Sequence, residues 1–264
     1  MAKVCYCADD FSMRPEISSA ILSLLEKERI HATSCMTQSP SWFQDAKVLT
    51  SLDTTAEIGL HLNFTQAFGI QDYTERLPKL MLGAWTGQLS QTKVRDSIAR
   101  QWELFCSATG RMPDFVDGHQ HVHQFPVIRE ALFKFLNQEQ FKGWVRSLRH
   151  PVLTPNTRIK VTLLKLLGAT RFSEMCQHYN IHQNSTFAGI YSFDAQSYAL
   201  LNQQWLAQAQ DQLLIMCHPA LPHSQSSHDP IHAARVREFE YFDSAQFQQD
   251  CRHHHIQLGP LGAI

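Results

Sequence analysis

The sequence predicts an α/β fold, because short apolar runs of strand length alternate with longer stretches of helical period along most of the chain. Polar clusters built from Asp and His directly follow four of the apolar runs, the position where parallel α/β sheets assemble their sites. The length of 264 residues, with 44% hydrophobic and 18% charged, suits one large domain or two small ones with a sizeable core. Barrel-like α/β folds commonly run to this length as a single unit.

Taken in order, residues 3–8 read as a first buried strand that stops at Asp9-Asp10. A helix follows over 15–28, with Pro15 in its first turn and Ile17, Ala20, Ile21, Leu24 and Leu25 on one face. Residues 30–36 and 57–62 read as the second and third strands. Residues 66–91 break the rhythm with Gly69, Gly83, Gly87, Pro78 and the aromatics Phe68, Tyr73 and Trp85, a composition expected of a lid or binding loop, or of a structural excursion with Tyr73 and Trp85 in the core. A helix over 92–108 ends at the stop signal Gly110. Strands at 115–119 and 142–148 and helices at 126–138 and 158–168 continue the alternation. In the last third, helices are expected at 195–210 and 233–251, strands at 213–217 and 256–258, and a Pro/Ser/His loop at 218–229. No internal repeat or flexible linker interrupts the chain, and His253-His254-His255 reads as a solvated helix end.

Composition narrows the function. A net charge of −1 gives no basis for capturing nucleic acid or an anionic membrane, so a small, uncharged molecule is the expected partner. No run approaches the roughly 18–20 apolar residues that span a bilayer. The first residues lack the regions of a secretion signal, and the seven cysteines have no repeated spacing. A reducing cytoplasm with free thiols is the expectation. Cys5 and Cys7 alternate within an apolar run and read as two core residues on one face, with a Cys-x-Cys metal site as the less favoured alternative.

The segment Asp117-Gly118-His119-Gln120-His121-Val122-His123 carries the most information. As an extended strand it would project Asp117, His119, His121 and His123 to one side. One carboxylate and three imidazoles on one face suit metal binding or proton transfer. The plainer alternative is a solvated edge strand. Asp9 and Asp10, if both ionised at the end of a buried strand, repel each other unless a cation relieves them. One of them could instead cap the next helix, which accounts for one aspartate and not two. His61, between Leu60 and Leu62, faces the opposite side from both; alone it would read as a hydrogen-bonded interior histidine. His218 precedes Pro219, which holds it out of a helix and suits an acid or base at a fixed place, or a turn histidine with no role. One Asp with two His leaves metal positions open for water and substrate. There is no GxGxxG or Walker sequence, no Gly-x-Ser-x-Gly elbow and no HExxH pair.

These residues resemble the YdjC family of carbohydrate deacetylases, which includes chitooligosaccharide deacetylases. The matching pieces are Ala8-Asp9-Asp10-Phe11, Ile58-Gly59-Leu60-His61, the Asp117–His123 run and Met216-Cys217-His218-Pro219-Ala220, in the family's order and across nearly the whole chain. The resemblance implies a distorted (β/α) barrel of the glycoside hydrolase/deacetylase type, one domain over residues 1–264, with its site at the strand C-terminal ends. It implies a divalent metal, magnesium or zinc, held by Asp10, His61 and His119, with Asp9 as base, His218 as acid and Arg146 near the site. A surface position is the ordinary alternative for Arg146. His121 and His123 would bind substrate or orient the site from behind. The implied partner is an N-acetylated carbohydrate, on whose sugar rings the aromatics of residues 66–91 could stack, and a homodimer is compatible with the family.

Two departures stand out. The family usually has glycine where this chain has Ser12, which is strained if that position needs positive φ. A third consecutive histidine is replaced by Gln120, which strand alternation would turn away from the metal set. Amidohydrolases and phosphoesterases of the PHP kind are the main enzymatic rivals, but they usually place His-x-His after the first strand, where this chain has Asp-Asp. A catalytically silent sugar- or metal-binding protein of the same fold is the rival from another class.

Overall fold

The structure is a computed structural model that describes residues 1–69, 72–154, 168–194, 197–223 and 229–262. Its strands are β1 (Ala2–Phe11), β2 (Ala32–Cys35), β3 (Glu57–Leu62), β4 (Phe115–Gly118), β5 (Trp144–Val145), β6 (His182–Gln183), β7 (Thr186–Ala188), β8 (Leu213–Cys217) and β9 (Ile256–Leu258). All pairings among them are parallel, and the sheet runs β6-β5-β4-β3-β2-β1-β8-β7. β9 pairs with the first half of β1, on the edge whose second half pairs with β2. Among the described residues β6 and β7 do not pair, so the curled sheet is an open, distorted (β/α) barrel.

Helices cover the outside: α1 (Pro15–Glu26), α2 (Trp42–Ser51), α3 (Leu77–Trp85), α4 (Gln91–Thr109), α5 (Ile128–Gln138), α6 (Thr170–Tyr179), α7 (Tyr198–Leu206), α8 (His232–Asp243) and α9 (Ala245–His253). Pro15 opens α1, and Ile17, Ala20, Ile21, Leu24 and Leu25 are its buried face, as the periodicity predicts. Ser90 caps α4 by accepting from Lys93 N, and Gly110 ends it at φ 71°. Among the described residues, no helix is long and apolar enough to cross a membrane.

Strand alternation divides the core into two layers. Val4, Tyr6 and Ala8 pack outward against helices, whereas Cys5 and Cys7 join Phe115, Trp144, Leu214 and Met216 in a separate cluster lined by strands. Cys5 and Cys7 are thus core residues on one face, and the seven thiols are free. Extending the inward face by two residues toward each strand's C-terminal end leads from Cys7 to Asp9, from Gly59 to His61, from Phe115 to Asp117, from Trp144 to Arg146 and from Met216 to His218. The barrel interior is therefore apolar below and polar at the top.

Several expectations need correction. The 66–91 segment contains α3, which buries Leu80 and Ala84, while Tyr73 packs edge-on against Phe64 and Trp85 against Phe125. From α3 onward it is anchored to the body, while Gln66 at its start lines the site pocket; residues 70–71 lie outside the described residues. The helix expected at 233–251 is two, because Ser244 is extended (ψ 159°) and its Oγ accepts from Phe247 N, capping α9. α2, α6 and the short strands β6 and β7 were not apparent from the sequence. The strand expected at 142–148 is only Trp144–Val145. Residues 158–167 of one expected helix, 195–196 of another, and 224–228 of the Pro/Ser/His loop lie outside the described residues.

Gly59 explains its place in the Ile58-Gly59-Leu60-His61 sequence: a Cβ there would lie 2.5 Å from ring carbons of Phe115, which itself stacks 4.2 Å from Trp144. Gly59→Ala is expected to lower unfolding free energy by about 1–3 kcal/mol. In denaturant titration, Phe115→Leu introduced beside it should recover part of that loss; strictly additive losses would contradict the contact.

Candidate active site

The strand ends deliver the predicted residues to one pocket of about 530 Å³. Asp9, Asp10, His61, His119, Gln120, His121 and His218 line it, facing a more apolar wall that includes Met13, Ile190, Tyr191, Phe193 and Ile231. Among the described residues, neither Tyr73 nor Trp85 lines this pocket.

Asp9 and Asp10 would point to opposite faces in a regular strand. Here Asp10 adopts φ 70° and the β1–β2 register breaks between Ala8 and Phe11, so both carboxylates reach the pocket. Ser12 also takes φ 70°, the strained conformation anticipated for a residue in a glycine's place. Its Oγ donates to Asp45 Oδ2 at 2.7 Å and its backbone N–H to Ser18 Oγ at 2.9 Å, which anchor the turn.

The extended-strand reading of residues 117–123 is overturned. β4 ends at Gly118, level with the end of β3 at Leu62, and the chain folds back as a 3-10 segment, His119–Gln124. Gln120 (φ 52°) and His121 (φ 60°) are left-handed. A Cβ at Gly118 would lie 3.0 Å from His123 Nδ1, so glycine permits the fold-back. In consequence Gln120 lines the pocket instead of facing away. His123 is wholly buried and does not line it; its Nε2 lies 2.9 Å from the Arg146 carbonyl. Direct substrate contact is closed to His123, and orientation from behind remains open.

Arg146 is fully buried rather than on the surface. Its Nη1 and Nη2 donate to the two oxygens of Asp9, each at 2.6 Å, and Nη2 lies 2.6 Å from Asp117 Oδ2. Burial alone would raise the Asp9 pKa, but the Arg146 charge and hydrogen bonds, aided by His61 and His218, hold it well below the usual carboxylate range. Asp117 Oδ1 is 2.7 Å from His61 Nδ1. With Nδ1 facing Asp117, Nε2 turns to Asp10 Oδ1, 3.3 Å away. Burial opposes charge on His61, yet Asp117, Asp10 and Asp9 push its pKa up to about 10.

Asp10 Oδ1 also meets His119 Nδ1 at 2.9 Å. The donor atoms of Asp10, His61 and His119 all lie within 4.8 Å of one another. Donors around a tetrahedral ion with bonds of about 2.1 Å are separated by about 3.4 Å, so this set fits a cation. A carboxylate behind a histidine ligand, as Asp117 is behind His61, is the usual orienting partner in metal sites. A second group, Cys7, Asp9 and Asp117, has similar spacing, but the Arg146 guanidinium already neutralises it.

Sequence reasoning missed three contributors. Arg235 of α8 donates from Nη2 to Asp10 Oδ2 at 2.6 Å and from Nε to Asp229 Oδ2 at 2.7 Å. Burial alone would raise the Asp10 pKa, but Arg235, with His119 and His61, holds it well below the usual carboxylate range. Glu238, three residues on, is fully buried behind His218. Their signal was available: Arg235 and Glu238 occupy the same helical stripe as buried Ala234, Tyr241 and Phe242. His218 itself lies with Nε2 3.9 Å from Asp9 Oδ2, and burial lowers its pKa to about 4 against the pull of Asp9 and Asp10.

Two tests follow from this geometry. Arg146→Met leaves Asp9 and Asp117 buried without their counter-charge; equilibrium unfolding should show a loss of about 3–5 kcal/mol. Burial and the Arg146 charge lower the His123 pKa from 6.5 to about 3, although its bond to the Arg146 carbonyl opposes the shift. Between those values the unfolded chain binds a proton that the folded one refuses, so stability is full above pH 6.5 and falls on acidification. Each such histidine contributes up to about 1.4 kcal/mol per pH unit. His123→Gln should flatten the stability profile between pH 6.5 and 3; an unchanged slope would contradict the assignment.

Comparison with known proteins agrees with the sequence resemblance. The family profile described as YdjC-like protein matches residues 3–253. A Xenopus laevis protein named carbohydrate deacetylase is 25% identical over 151 residues, 52% of this chain and 48% of that one, so the match spans about half the length of that relative. A crystal structure from Enterococcus faecalis V583, provisionally assigned to cellobiose-phosphate cleavage, superposes with TM-score 0.73 at 17% identity, covering 98% of this chain and 97% of that one. A peptidoglycan N-acetylglucosamine deacetylase gives TM-score 0.51 at 11% identity, with 98% and 86% covered. These two structures share the fold. With its profile match running over nearly its whole length, the chain belongs to the YdjC family.

Proposed function

We propose that the protein hydrolyses the acetamide of an N-acetylated sugar or oligosaccharide, with a divalent metal ion held by Asp10, His61 and His119. The observation that carries this reading is the meeting of one carboxylate and two imidazoles from β1, β3 and the 119–124 turn beside a second, ionised aspartate. The similarity to a carbohydrate deacetylase supports the choice of substrate. A donor set of two nitrogens and one oxygen favours zinc over magnesium, which prefers oxygen. The free thiols fit a reducing, cytoplasmic setting.

Amide hydrolysis needs an activated water, a stabilised oxyanion and a proton for the departing nitrogen. A divalent ion held by Asp10, His61 and His119 would lower the pKa of a water and polarise the carbonyl oxygen. Asp9, kept ionised by Arg146, takes the water proton. His218 is neutral at rest, so it must gain a proton before it can give one. Its Nε2 lies 3.9 Å from Asp9 Oδ2, near enough for a small shift to pass the proton from Asp9 to His218 and on to nitrogen. His121 lines the pocket with its pKa lowered to about 3 by burial and the Arg146 charge, and as a neutral ring it can bond sugar hydroxyls.

Acetate release from N-acetylated mono- and oligosaccharides, assayed with defined metal content, tests the proposal. His61→Ala and His119→Ala should lose metal retention and turnover together. Normal turnover in either variant, or binding of the sugar by the wild type without acetate release, refutes it.

A further inference from the structure

We propose that Glu238 is the positioning residue for His218: its carboxylate fixes the loop that aims the His218 ring, through the His218 backbone N–H. The inference rests on the role given to His218 above and adds the group that sets its direction.

β8 ends at Cys217, which pairs with Ala8, so the His218 N–H is the first beyond that ladder. A buried N–H without a partner is costly. Glu238 Oε2 accepts it, while Oε1 accepts the Tyr191 hydroxyl at 2.5 Å. Pro219 has no N–H, and the next one, Ala220 N, donates to the Arg235 carbonyl at 3.2 Å. Helix α8 therefore holds the loop at both 218 and 220.

The ring has no comparable restraint. Among the described residues, His218 Nδ1 has no hydrogen-bond partner, Nε2 stands 3.9 Å from Asp9 Oδ2, and Phe193 meets the ring edge-on at 5.6 Å. Its aim is consequently set by the backbone. Glu238 is fully buried and, among the described residues, makes no ion pair. An apolar residue at that position would pack without the desolvation penalty of a carboxylate. What it could not do is accept two hydrogen bonds, one from the histidine loop and one from Tyr191, a residue of the pocket wall.

The test compares Glu238→Met, which keeps length but removes the acceptor, with Glu238→Gln, whose amide oxygen can still accept the His218 N–H. Hydrogen exchange of the His218 amide and kcat for acetate release are both measured. In the Met variant the amide should exchange faster by about tenfold or more, and kcat should fall about 10²-fold, as a misplacement of about 1 Å can cause, with KM little changed. The Gln variant should keep amide protection and kcat near wild type. Unchanged amide exchange in Glu238→Met, or a Gln variant as impaired as Met, overturns the proposal. Should the Met variant not fold, the Gln variant decides alone: retained kcat supports positioning by an acceptor, and a large loss refutes it. If wild-type protein releases no acetate, the deacetylase reading fails by itself, and amide exchange still decides the role of Glu238.

Discussion

The buried Arg146 guanidinium is the interaction on which the site depends. It lies between Asp9 and Asp117, and Asp117 in turn holds His61, which faces Asp10. One polar chain thus links β5 to β1, β4 and β3 across the top of the barrel. Two carboxylates this close and this deeply buried would otherwise shed charge by taking up protons. With Arg146 between them Asp9 stays ionised and faces the pocket, and Asp117 fixes an imidazole. His123 and Gln124 approach the same arginine through its backbone carbonyl, so the turn carrying His119 is tied to the same anchor.

Much of this was legible because parallel strands obey a period of two. The inward series Cys5, Cys7, Asp9 and the step from Gly59 to His61 follow from alternation alone, and the apolar runs that end in Asp or His mark the strand ends. Alternation failed where the ladder ran out. Beyond Gly118, among the described residues, there is no neighbouring strand to extend, and the histidines that seemed to share a face are distributed by a tight turn: His119 and His121 to the pocket, His123 to the interior. Arg235 and Glu238 were overlooked for a different reason. Charged residues in a helix usually face water, and only their place on the stripe of Ala234 and Tyr241 marked them as buried.

Backbone strain collects at the same place. Asp10, Ser12, Gln120 and His121 all have positive φ, although none is glycine. Each such residue costs on the order of 1 kcal/mol or more and persists only where its surroundings hold it. For Asp10 the gain is clear, since the left-handed turn brings a second carboxylate into the pocket beside Asp9 and against His61 and His119. The hydrogen bonds of Ser12 to Asp45 and Ser18 stabilise the neighbouring turn, which offers a physical account of how serine is tolerated there.

The account's central claim is that Asp10, His61 and His119 grip a cation. Anomalous diffraction from crystals grown with zinc tests it most directly. A single strong peak should lie within about 2.0–2.2 Å of Asp10 Oδ1, His61 Nε2 and a His119 ring nitrogen, the bond lengths of zinc to oxygen and imidazole. A peak held by other residues, or none at saturating zinc, would contradict it.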